Sequence, residues 1–456
     1  MARESRWLEG HRVSGNAAPS PWMDPLPEAA PALKGECRVD VAVVGAGYTG
    51  LCAALSLRAE HRSVAVLESA YAGFGASGRN AGHLTPTIGK DLPTLARLYG
   101  RERARDYVAF AEAAVEHVES KLVQYEIDCD YHPRGNVVAA VHPRQHARLE
   151  AAARLASELG AKVTFLSPDE MRRRGLPAAF SAGYLEERGG TLHPGRYVRG
   201  LRRAVLAAGI SLFERTPVSR LRPGPEIVLD TAGGCVIAKA VVLGTNAFTP
   251  RLGLLRSVAL PVWVSLFETE PLNSTQRTAL GWPGREGIYT AHAMLESYHL
   301  TAAGTIVGGA KCVRYRFGGR PPPEQHPPTF ARLEQTFRAR FPELAELRIA
   351  HFWSGPIAIP LNFLPAVGRT GRYRNVYYAL GYAGHGVAQA SYLGAALADY
   401  MAERPGPADL FAERSRIPLP PEPLRWLTFR GLTALFGVLD SRLDRAAHRW
   451  RGTERA

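Results

Sequence analysis

The chain has 456 residues, more than a single hydrophobic core usually supports, so two packed domains are expected. The formal net charge is +14, but 50 of the 56 basic residues are Arg spread along the whole chain, which argues against a basic patch for nucleic acid. Five cysteines without a C-x-x-C pair argue against a disulfide framework and against a metal site, and they favour a reducing, cytoplasmic environment.

The N-terminal residues 1–36 form an arm rich in Pro and Ala. They lack the apolar core of a signal peptide, and no apolar stretch reaches the length that spans a bilayer. A strand of β-branched residues then begins near Val39, glycines follow it, and a helix over 51–59 leads to a second apolar strand over 64–67. This order predicts a βαβ unit.

The rest of the chain alternates between helical and strand-like segments. Apolar residues spaced three to four apart predict helices over 104–122, 143–159, 197–208 and 329–340. Ser167 and Glu170 form a capping box that starts another helix. Residues 227–238 predict a β-hairpin, 258–315 are mostly strand-like, and 376–401 form a last strand–loop–helix unit.

Gly45, Gly47 and Gly50 form a G-x-G-x-x-G motif between the first strand and its helix. The first glycine permits a tight turn, the second lets the backbone approach a pyrophosphate, and the third lets helix and strand pack closely. Glu68 ends the next strand, at the place where a carboxylate binds ribose hydroxyls. The motif predicts a dinucleotide site; the alternative is a glycine-rich turn without a ligand and a solvated Glu68.

Residues 73–83, directly after this acid, read G-F-G-A-S-G-R-N-A-G-H. With this segment the chain resembles the D-amino-acid-oxidase-like (DAO) superfamily of FAD-dependent oxidoreductases, in which the segment passes along the pyrophosphate and under the flavin. Residues 240–250 resemble the strand and turn beneath the dinucleotide, and residues 381–387 resemble a C-terminal motif that opens a helix toward the flavin. Trp22 and residues 379–386 favour the branch of gamma-glutamylputrescine oxidase-like amine oxidoreductases.

The resemblance implies FAD as the cofactor and a set of residues that bind it. These residues are Gly45, Gly47, Tyr48, Thr49, Gly50, Glu68, Ser77, Gly78, Arg79, Asn80, Ala81, Gly82, His83, Val218, Thr245, Asn246, Gly381, Gly384, His385, Gly386 and Val387. Ser77, Arg79 and Asn80 are expected to donate to phosphate and flavin oxygens. Members with covalent flavin use a Cys, absent from residues 350–364, or a His opposite Asn80, so non-covalent FAD is expected, with His83 as the alternative attachment point.

The candidate catalytic residues are His83, Lys311 and Tyr382. For His83 and Tyr382, which lie in flavin-proximal motifs, the alternative is a ring that only packs. In related oxidases a Lys over the flavin promotes the reaction with oxygen, and Lys311 is either that residue or a solvated surface lysine. The aromatic residues that either line the substrate site or belong to the core are Tyr298, His351 and Trp353.

The resemblance implies an α/β fold, in which a doubly wound, Rossmann-type FAD-binding domain is interleaved with an antiparallel-sheet substrate domain of α+β type. The FAD-binding domain is expected to comprise 37–95, 160–257 and 350–405, and the substrate domain 96–159 and 258–349. Residues 406–456 predict a basic, amphipathic C-terminal extension. Its apolar face is expected to pack on the protein itself or on a second subunit, and the alternative is contact with a membrane surface.

Amino-acid oxidases of the superfamily carry an Arg that binds the substrate carboxylate, and Ile357 stands in its place here. The expected reaction is therefore hydride removal from a carbon next to an amine nitrogen. It would give an imine that hydrolyses, with oxygen or another compound as the electron acceptor. The alternatives are an amino-acid oxidase or dehydrogenase for glycine, proline or an N-methyl amino acid, and a non-catalytic FAD-binding subunit.

Overall fold

The structure is a computed structural model that describes residues 19–412 and 417–455, so residues 1–18 of the expected arm lie outside the described part of the chain. Two eight-stranded sheets, a two-stranded sheet and several helices build the described residues. The mixed α/β fold expected from the sequence is confirmed. No helix among the described residues combines the length and the apolar character that crossing a membrane would need.

Strands and helices alternate along the chain. The strands are β1 (Gly35–Val44), β2 (Val64–Leu67), β3 (His83–Leu84), β4 (Asn136–Ala140), β5 (Val163–Leu166), β6 (Ala182–Glu186), β7 (Gly190–Thr191), β8 (Ser211–Phe213), β9 (Arg220–Arg222), β10 (Ile227–Thr231), β11 (Gly234–Leu243), β12 (Leu260–Thr269), β13 (Gly287–Thr290), β14 (Glu296–Leu300), β15 (Ile306–Arg314), β16 (Ile349–Ile359), β17 (Ala366–Thr370) and β18 (Val376–Leu380). The α-helices are α1 (Tyr48–Ala59), α2 (Leu92–Tyr99), α3 (Arg101–Gln124), α4 (His146–Glu158), α5 (Pro168–Arg173), α6 (Pro194–Ala207), α7 (Ser274–Leu280), α8 (Pro327–Arg340), α9 (Gly386–Met401) and α10 (Leu424–Arg455). The four helices predicted from apolar spacing are confirmed, and Ser167 and Glu170 form the expected capping box before α5.

The first sheet contains the predicted βαβ unit. Its strand order is β17-β18-β11-β1-β2-β8, and the pairs from β18 to β8 are all parallel. Val41 and Val43 of β1 pack on the helical side of this sheet, while Ala42 and Val44 face the opposite side. Because the carboxyl ends of parallel strands meet at one edge, the segments that follow β1, β2, β11 and β18 lie together there.

The second sheet has the order β16-β12-β15-β14-β13-β4-β6-β5 and is antiparallel apart from the β13–β4 pair. Successive residues of a strand point to opposite faces, so paired residues divide into two sets. We call the face whose Trp353 side chain contacts the loop at Arg79 the near face, and the opposite one the far face. The near face carries Asn136, Tyr289, His299, Leu266 and Trp353. The far face carries a large apolar core that includes Val137, Ile288, Tyr298, Phe267 and side chains of α8.

Three strands of the second sheet come from segments that were expected in the FAD-binding domain. β5 and β6 lie within 160–257, yet β6 pairs with β4, and β16 begins at residue 349, yet it pairs with β12. The expected boundaries at residues 160 and 350 are therefore wrong for these strands. A strand has the same local pattern whichever sheet it joins, because its pairing partners lie far away in the sequence.

Lys311 lies on the far face of the second sheet. This location differs from both predicted ones, over the flavin and on the solvated surface. The pairing of β12 with β15 shifts between Val264 and Ser265, so that β15 has two extra residues at this point, Lys311 and Cys312. Ala310 and Lys311 have positive φ angles of 75° and 34°, and this bulge turns the lysine away from the near face. Lys311 is 3% exposed, so it is not a solvated surface lysine.

The buried lysine belongs to an ion cluster that connects the far face with α10. Lys311 Nζ donates to Glu296 Oε1 at 2.7 Å and to Asp444 Oδ2 at 2.9 Å, and the Arg340 guanidinium donates to both acids. Burial alone would raise the pKa of Glu296, but the attraction of Arg340 and Lys311 lowers it to about 2. His292 lies beside the same two carboxylates, which Lys311 and Arg340 already pair with and neutralise.

The C-terminal extension packs on its own chain through the side of the helix that carries Asp440 and Asp444, whereas most leucines of its expected apolar face are exposed. Besides Asp444, the Asp440 carboxylate accepts hydrogen bonds from the backbone N–H groups of Ala293 and Met294, both at 2.9 Å. Ala447, two turns after Asp440, is completely buried in the far-face core. The inner face of α10 is thus fixed to the second sheet.

Replacing Arg340 with methionine should destabilise the protein by about 3–5 kcal/mol, because it leaves Glu296 buried with only one cationic partner. The free energy of unfolding in urea at neutral pH measures this loss. The matched control is Arg101→Met, which removes a pair with Glu158 in which both side chains are about half exposed. That pair should contribute less than about 1 kcal/mol. Equal losses in the two variants would contradict the structural role of the cluster.

Candidate active site

The glycine motif and Glu68 meet at the carboxyl edge of the first sheet. Glu68 follows β2 and is buried, and its two oxygens accept hydrogen bonds from the N–H groups of Ala46 at 2.8 Å and Ala70 at 3.0 Å. Burial raises the pKa of this carboxyl above its usual range. Glu68 is therefore a fixed acceptor beside the glycine motif, and the solvated strand-end acid is not observed.

The three motif glycines have different surroundings. A Cβ on Gly50 would lie 1.9 Å from the carbonyl oxygen of Gly45, and a Cβ on Gly45 would lie 3.0 Å from the carbonyl oxygen of Gly244. These two glycines are required for packing between the turn, α1 and β11. A Cβ on Gly47 would approach only Ser77 Oγ, at 2.9 Å. Gly47 is thus the motif glycine at which the absence of a side chain leaves space for a ligand.

Two helices begin at this edge without a side-chain cap from their own N-cap residues. α1 starts after Gly47 and α9 starts after His385; neither cap residue accepts a side-chain hydrogen bond from its helix, and neither first turn contains an acid. The free N–H groups and the positive end of the helix dipole favour negative charge at both places. A pyrophosphate fits the first terminus, and an electron-rich ring system fits the second.

The loop that follows the glycine motif is held by its own polar side chains. Ser77 Oγ accepts from Tyr48 N at 3.0 Å, and the Asn80 side-chain amide donates to the carbonyls of Ala76 and Ser77 while its oxygen accepts from Gly82 N. The Asn80 side chain is thus used by the loop itself, and its role as a donor to the cofactor stays a prediction.

Arg79 is buried beneath the same loop. Its Nε donates to the carbonyl of Phe74 at 2.8 Å, and its Nη1 donates to Glu324 at 2.9 Å and to the carbonyl of Ser354 at 3.1 Å. Its Nη2 is buried without a hydrogen-bond partner. The Arg79 side chain thus still has a buried donor to offer.

An apolar wall faces the loop from the second sheet. We define the aromatic wall as Trp22, Ala81, Leu266, Val307 and Trp353, which pack together. The Trp22 indole N–H donates to the carbonyl of Asn80 at 3.0 Å, and the Trp353 indole N–H donates to the carbonyl of Arg79 at 2.9 Å. Both rings are therefore fixed against the flavin-type segment 76–83.

Two histidines present buried ring nitrogens beside this wall. Asn136 Nδ2 donates to backbone carbonyls, so its Oδ1 must accept the 2.8 Å hydrogen bond from His83 Nδ1, which leaves His83 Nε2 as an acceptor. His83 Nε2 and His299 Nδ1 are buried without partners, and the two rings are 5.5 Å apart. Burial lowers the pKa of both histidines, so both are neutral at pH 7.

Close by on the near face, the Tyr289 hydroxyl donates to Glu186, and the Tyr289 and His83 rings are 6.2 Å apart. Burial raises the pKa of Glu186 to about 8, so this acid is mostly protonated at neutral pH. The surroundings of His83 therefore contain neutral hydrogen-bonding groups.

Tyr382 does not face the aromatic wall, contrary to its predicted role. Its hydroxyl donates to the carbonyl of Ala379 at 2.9 Å and therefore accepts the 2.7 Å hydrogen bond from Thr49 Oγ1. The ring lies in the core between α1 and α9, and its exposed fraction is 4%. Tyr382 positions α1 against the C-terminal motif and is not a catalytic residue.

The other C-terminal residues lie where the motif predicts. Gly381 N donates to Asn246 Oδ1 at 3.0 Å, which joins the segment after β18 to the turn containing Thr245 after β11. His385 Nδ1 forms a 2.7 Å hydrogen bond with Thr87 Oγ1, and burial lowers its pKa to about 4. Gly384 precedes it, Gly386 and Val387 begin α9, and Val218 lies after β8, next to the Glu68 strand.

The three aromatic candidates separate by face and exposure. Trp353 lies in the aromatic wall, Tyr298 points into the far-face core, and His351 is exposed at the end of the near face. Sequence reasoning missed His299 and Asn136 and used Trp22 only as a branch marker. Side chains alternate along β14, so His299 and Tyr298 point to opposite faces of the sheet. Only the pairing of the strands shows which of the two faces the loop.

The residues present fit FAD. The site offers a helix terminus without an acid in its first turn for a pyrophosphate, a fixed acid for a ribose, and four buried polar atoms without partners. These atoms are Arg79 Nη2, His83 Nε2, His299 Nδ1 and Gln389 Oε1. A Rossmann-type sheet joined to a second antiparallel sheet, with the carboxyl edge of the first sheet between them, defines a flavin-dependent oxidoreductase.

The chain belongs to the DAO family of FAD-dependent oxidoreductases, whose family model matches residues 40–400. It is 30% identical to gamma-glutamylputrescine oxidoreductase of Escherichia coli (strain K12) over 89% of this chain and 93% of that protein. It is 28% identical to the probable oxidoreductase OrdL of Haemophilus influenzae, over 79% of this chain and 82% of that protein. Its fold matches the crystal structure of glycine oxidase from Geobacillus kaustophilus with a TM-score of 0.71 at 21% identity, covering 84% and 100% of the two chains.

We expect the FAD to be non-covalent, because residues 350–364 contain no Cys and His83 Nδ1 is already bonded to Asn136. Acid precipitation of the purified protein should release all of the yellow colour into the supernatant. Absorbance spectra of supernatant and pellet measure this. Colour retained in the pellet would contradict the expectation. If the pellet of the His83→Ala variant were then colourless, His83 would be the attachment point of the flavin.

Proposed function

We propose that the protein oxidises a carbon next to an amine nitrogen. The carbon loses a hydride, the nitrogen loses a proton, and the resulting imine reacts with water to give a carbonyl compound and an amine or ammonia. When bound, FAD supplies the two-electron acceptor for the hydride. A separate electron acceptor, oxygen or another compound, completes the turnover.

The aromatic wall, together with two neutral histidines beside it, is the observation that carries this proposal. The buried Trp22 and Trp353 rings lie 6.1 Å apart, edge to face, and are proposed to form the apolar and aromatic side of the site against which the carbon chain of the amine packs. His83 Nε2 accepts a hydrogen bond from the amine, and Asn136 holds the ring in the required tautomer. A buried wall also keeps water from the reacting carbon.

The cofactor is proposed to bind along the carboxyl edge of the first sheet. Gly45, Gly47 and Tyr48 would hold the pyrophosphate, and Glu68 would hold the ribose. The residues that would face the flavin are Arg79, Ala81, Gly82, His83, Gly384, His385, Gly386 and Val387. Ser77, Asn80, Thr49 and Asn246 are proposed to hold these segments in position, since their side chains bond to the protein itself.

The similarity to gamma-glutamylputrescine oxidoreductase supports an amine with a polar group at the end far from the reacting carbon. The proposal makes no use of Lys311 in the reaction with oxygen, because this lysine lies on the far face in the ion cluster.

The proposal is tested by an anaerobic flavin-reduction screen. Polyamines, gamma-glutamylated amines, N-methyl amino acids, glycine and proline are mixed with the holoenzyme, and bleaching of the flavin absorbance is followed. Reduction by an amine supports the proposal, and reduction by amino acids alone would replace it with an amino-acid oxidase or dehydrogenase. A flavin that no compound reduces would favour a non-catalytic FAD-binding subunit. Admission of oxygen after reduction then shows whether oxygen is an acceptor.

A further inference from the structure

The outward side of α10 carries apolar residues that nothing in the described chain covers. Leucines and a valine lie on this side over four turns of the helix, and each is 44–57% exposed. They are Leu424, Leu427, Leu432, Leu435, Val438 and Leu439. Arg442, Arg445 and Arg449 continue the same side of the helix at 100° per residue, and all three are exposed. We call these nine residues the outer face of α10.

The outer face cannot turn inward to hide its apolar groups. Asp440 and Asp444 hold the opposite side of the helix on the second sheet, and Ala447 is completely buried there. At the other end, Glu422 accepts hydrogen bonds from the Tyr315 hydroxyl and from Gly318 N, just before the helix begins. The helix is thus a rigid support that presents leucines first and arginines after them.

The charge on the outer face is of one sign. Both aspartates of the described helix point to the protein, whereas Arg442, Arg445 and Arg449 point away from it, in a chain whose formal net charge is +14. The outer face of a second copy would offer the same leucines and the same three arginines, and none of its nine residues is an acid that could pair with the arginines. An anionic lipid surface offers both an acyl boundary for the leucines and phosphates for the arginines.

We propose that the outer face of α10 docks the protein on an anionic membrane surface, with the helix lying in the plane of the headgroups. The leucines enter the boundary between headgroups and acyl chains, and the three arginines bind lipid phosphates. The family match ends at residue 400, so this surface lies outside the part of the chain that carries the oxidoreductase fold.

The test is flotation of the full-length holoenzyme with two kinds of vesicle, phosphatidylcholine alone and phosphatidylcholine mixed with phosphatidylglycerol. The wild type should float with the mixed vesicles at low salt and dissociate as salt is raised. The triple variant Arg442→Gln, Arg445→Gln, Arg449→Gln should bind the mixed vesicles about 100-fold more weakly, if each arginine contributes its usual share. Leu435→Glu should also lose binding.

Two matched controls carry the same changes elsewhere. Leu98→Glu alters a leucine that is 57% exposed on α2, and Arg220→Gln removes an exposed charge on β9. Both should float like the wild type, and all variants should keep their flavin content and melting temperature. Absence of binding to the mixed vesicles, or equal binding by the outer-face variants and controls, would overturn the proposal. A dimer in light scattering that Leu435→Glu dissociates would assign the outer face to a second copy instead.

Discussion

Gly47→Val should yield a folded protein that contains no FAD. The backbone of Gly47 has φ −88°, which valine adopts without strain, and the added Cβ approaches only the end of one flexible side chain, Ser77 Oγ. The branched side chain would, however, occupy the space in front of the α1 terminus, where the backbone must approach the pyrophosphate. Flavin absorbance per protein measures the loss, and the apoprotein should melt at the temperature of wild-type apoprotein.

Two further glycines give this experiment its controls. Gly50→Ala should destabilise the fold itself, because its Cβ would lie 1.9 Å from the Gly45 carbonyl oxygen. Gly431→Val, on the exposed side of α10 with nothing within 4 Å, should keep its full flavin content. A Gly47→Val protein that purifies with full flavin would place the dinucleotide site elsewhere.

The preferred substrate should be an amine without a carboxylate on the reacting carbon. A substrate carboxylate that is buried without a charged hydrogen-bonding partner loses roughly 2–5 kcal/mol of binding free energy. This loss corresponds to about 30- to 4,000-fold in kcat/KM. The resemblance described above predicts that Ile357 stands at the position at which related amino-acid oxidases carry an arginine. In the structure it lies on β16 beside the C-terminal motif, where its Cδ1 is 4.0 Å from a Cβ placed on Gly384.

The neighbouring arginines do not replace the missing one. Arg314 donates to the carbonyl of Pro323 and to Ser354 Oγ, on the side of β16 opposite to Trp353, and Arg316 is exposed. Arg79 lies nearer the loop, but Glu324 already pairs with its charge.

The measurement compares kcat/KM for an amine and for its α-carboxylated analogue. Ile357→Arg should raise kcat/KM for the carboxylated compound, whereas His351→Arg, which adds the same charge at an exposed position of the same strand, should not. A wild-type preference for the carboxylated compound would contradict the amine assignment and favour an amino-acid oxidase.

Local patterns predicted the geometry of the proposed dinucleotide site. The strand ending at Val44, the three motif glycines and Glu68 lie within one βαβ unit, whose geometry follows from residues close together in the chain. The capping box at Ser167 and the helices with apolar spacing were predictable for the same reason.

Contacts between distant segments decided the rest. Alternation in β14 separates Tyr298 from His299, but the pairing of β14 with β13 and β15 determines which of them meets the cofactor loop. Two extra residues in β15 moved Lys311 to the far face, where Asp444, more than a hundred residues later, pairs with it. No local pattern encodes such a bulge or such a partner, because strand pairing and buried charge depend on segments that only the folded chain brings together.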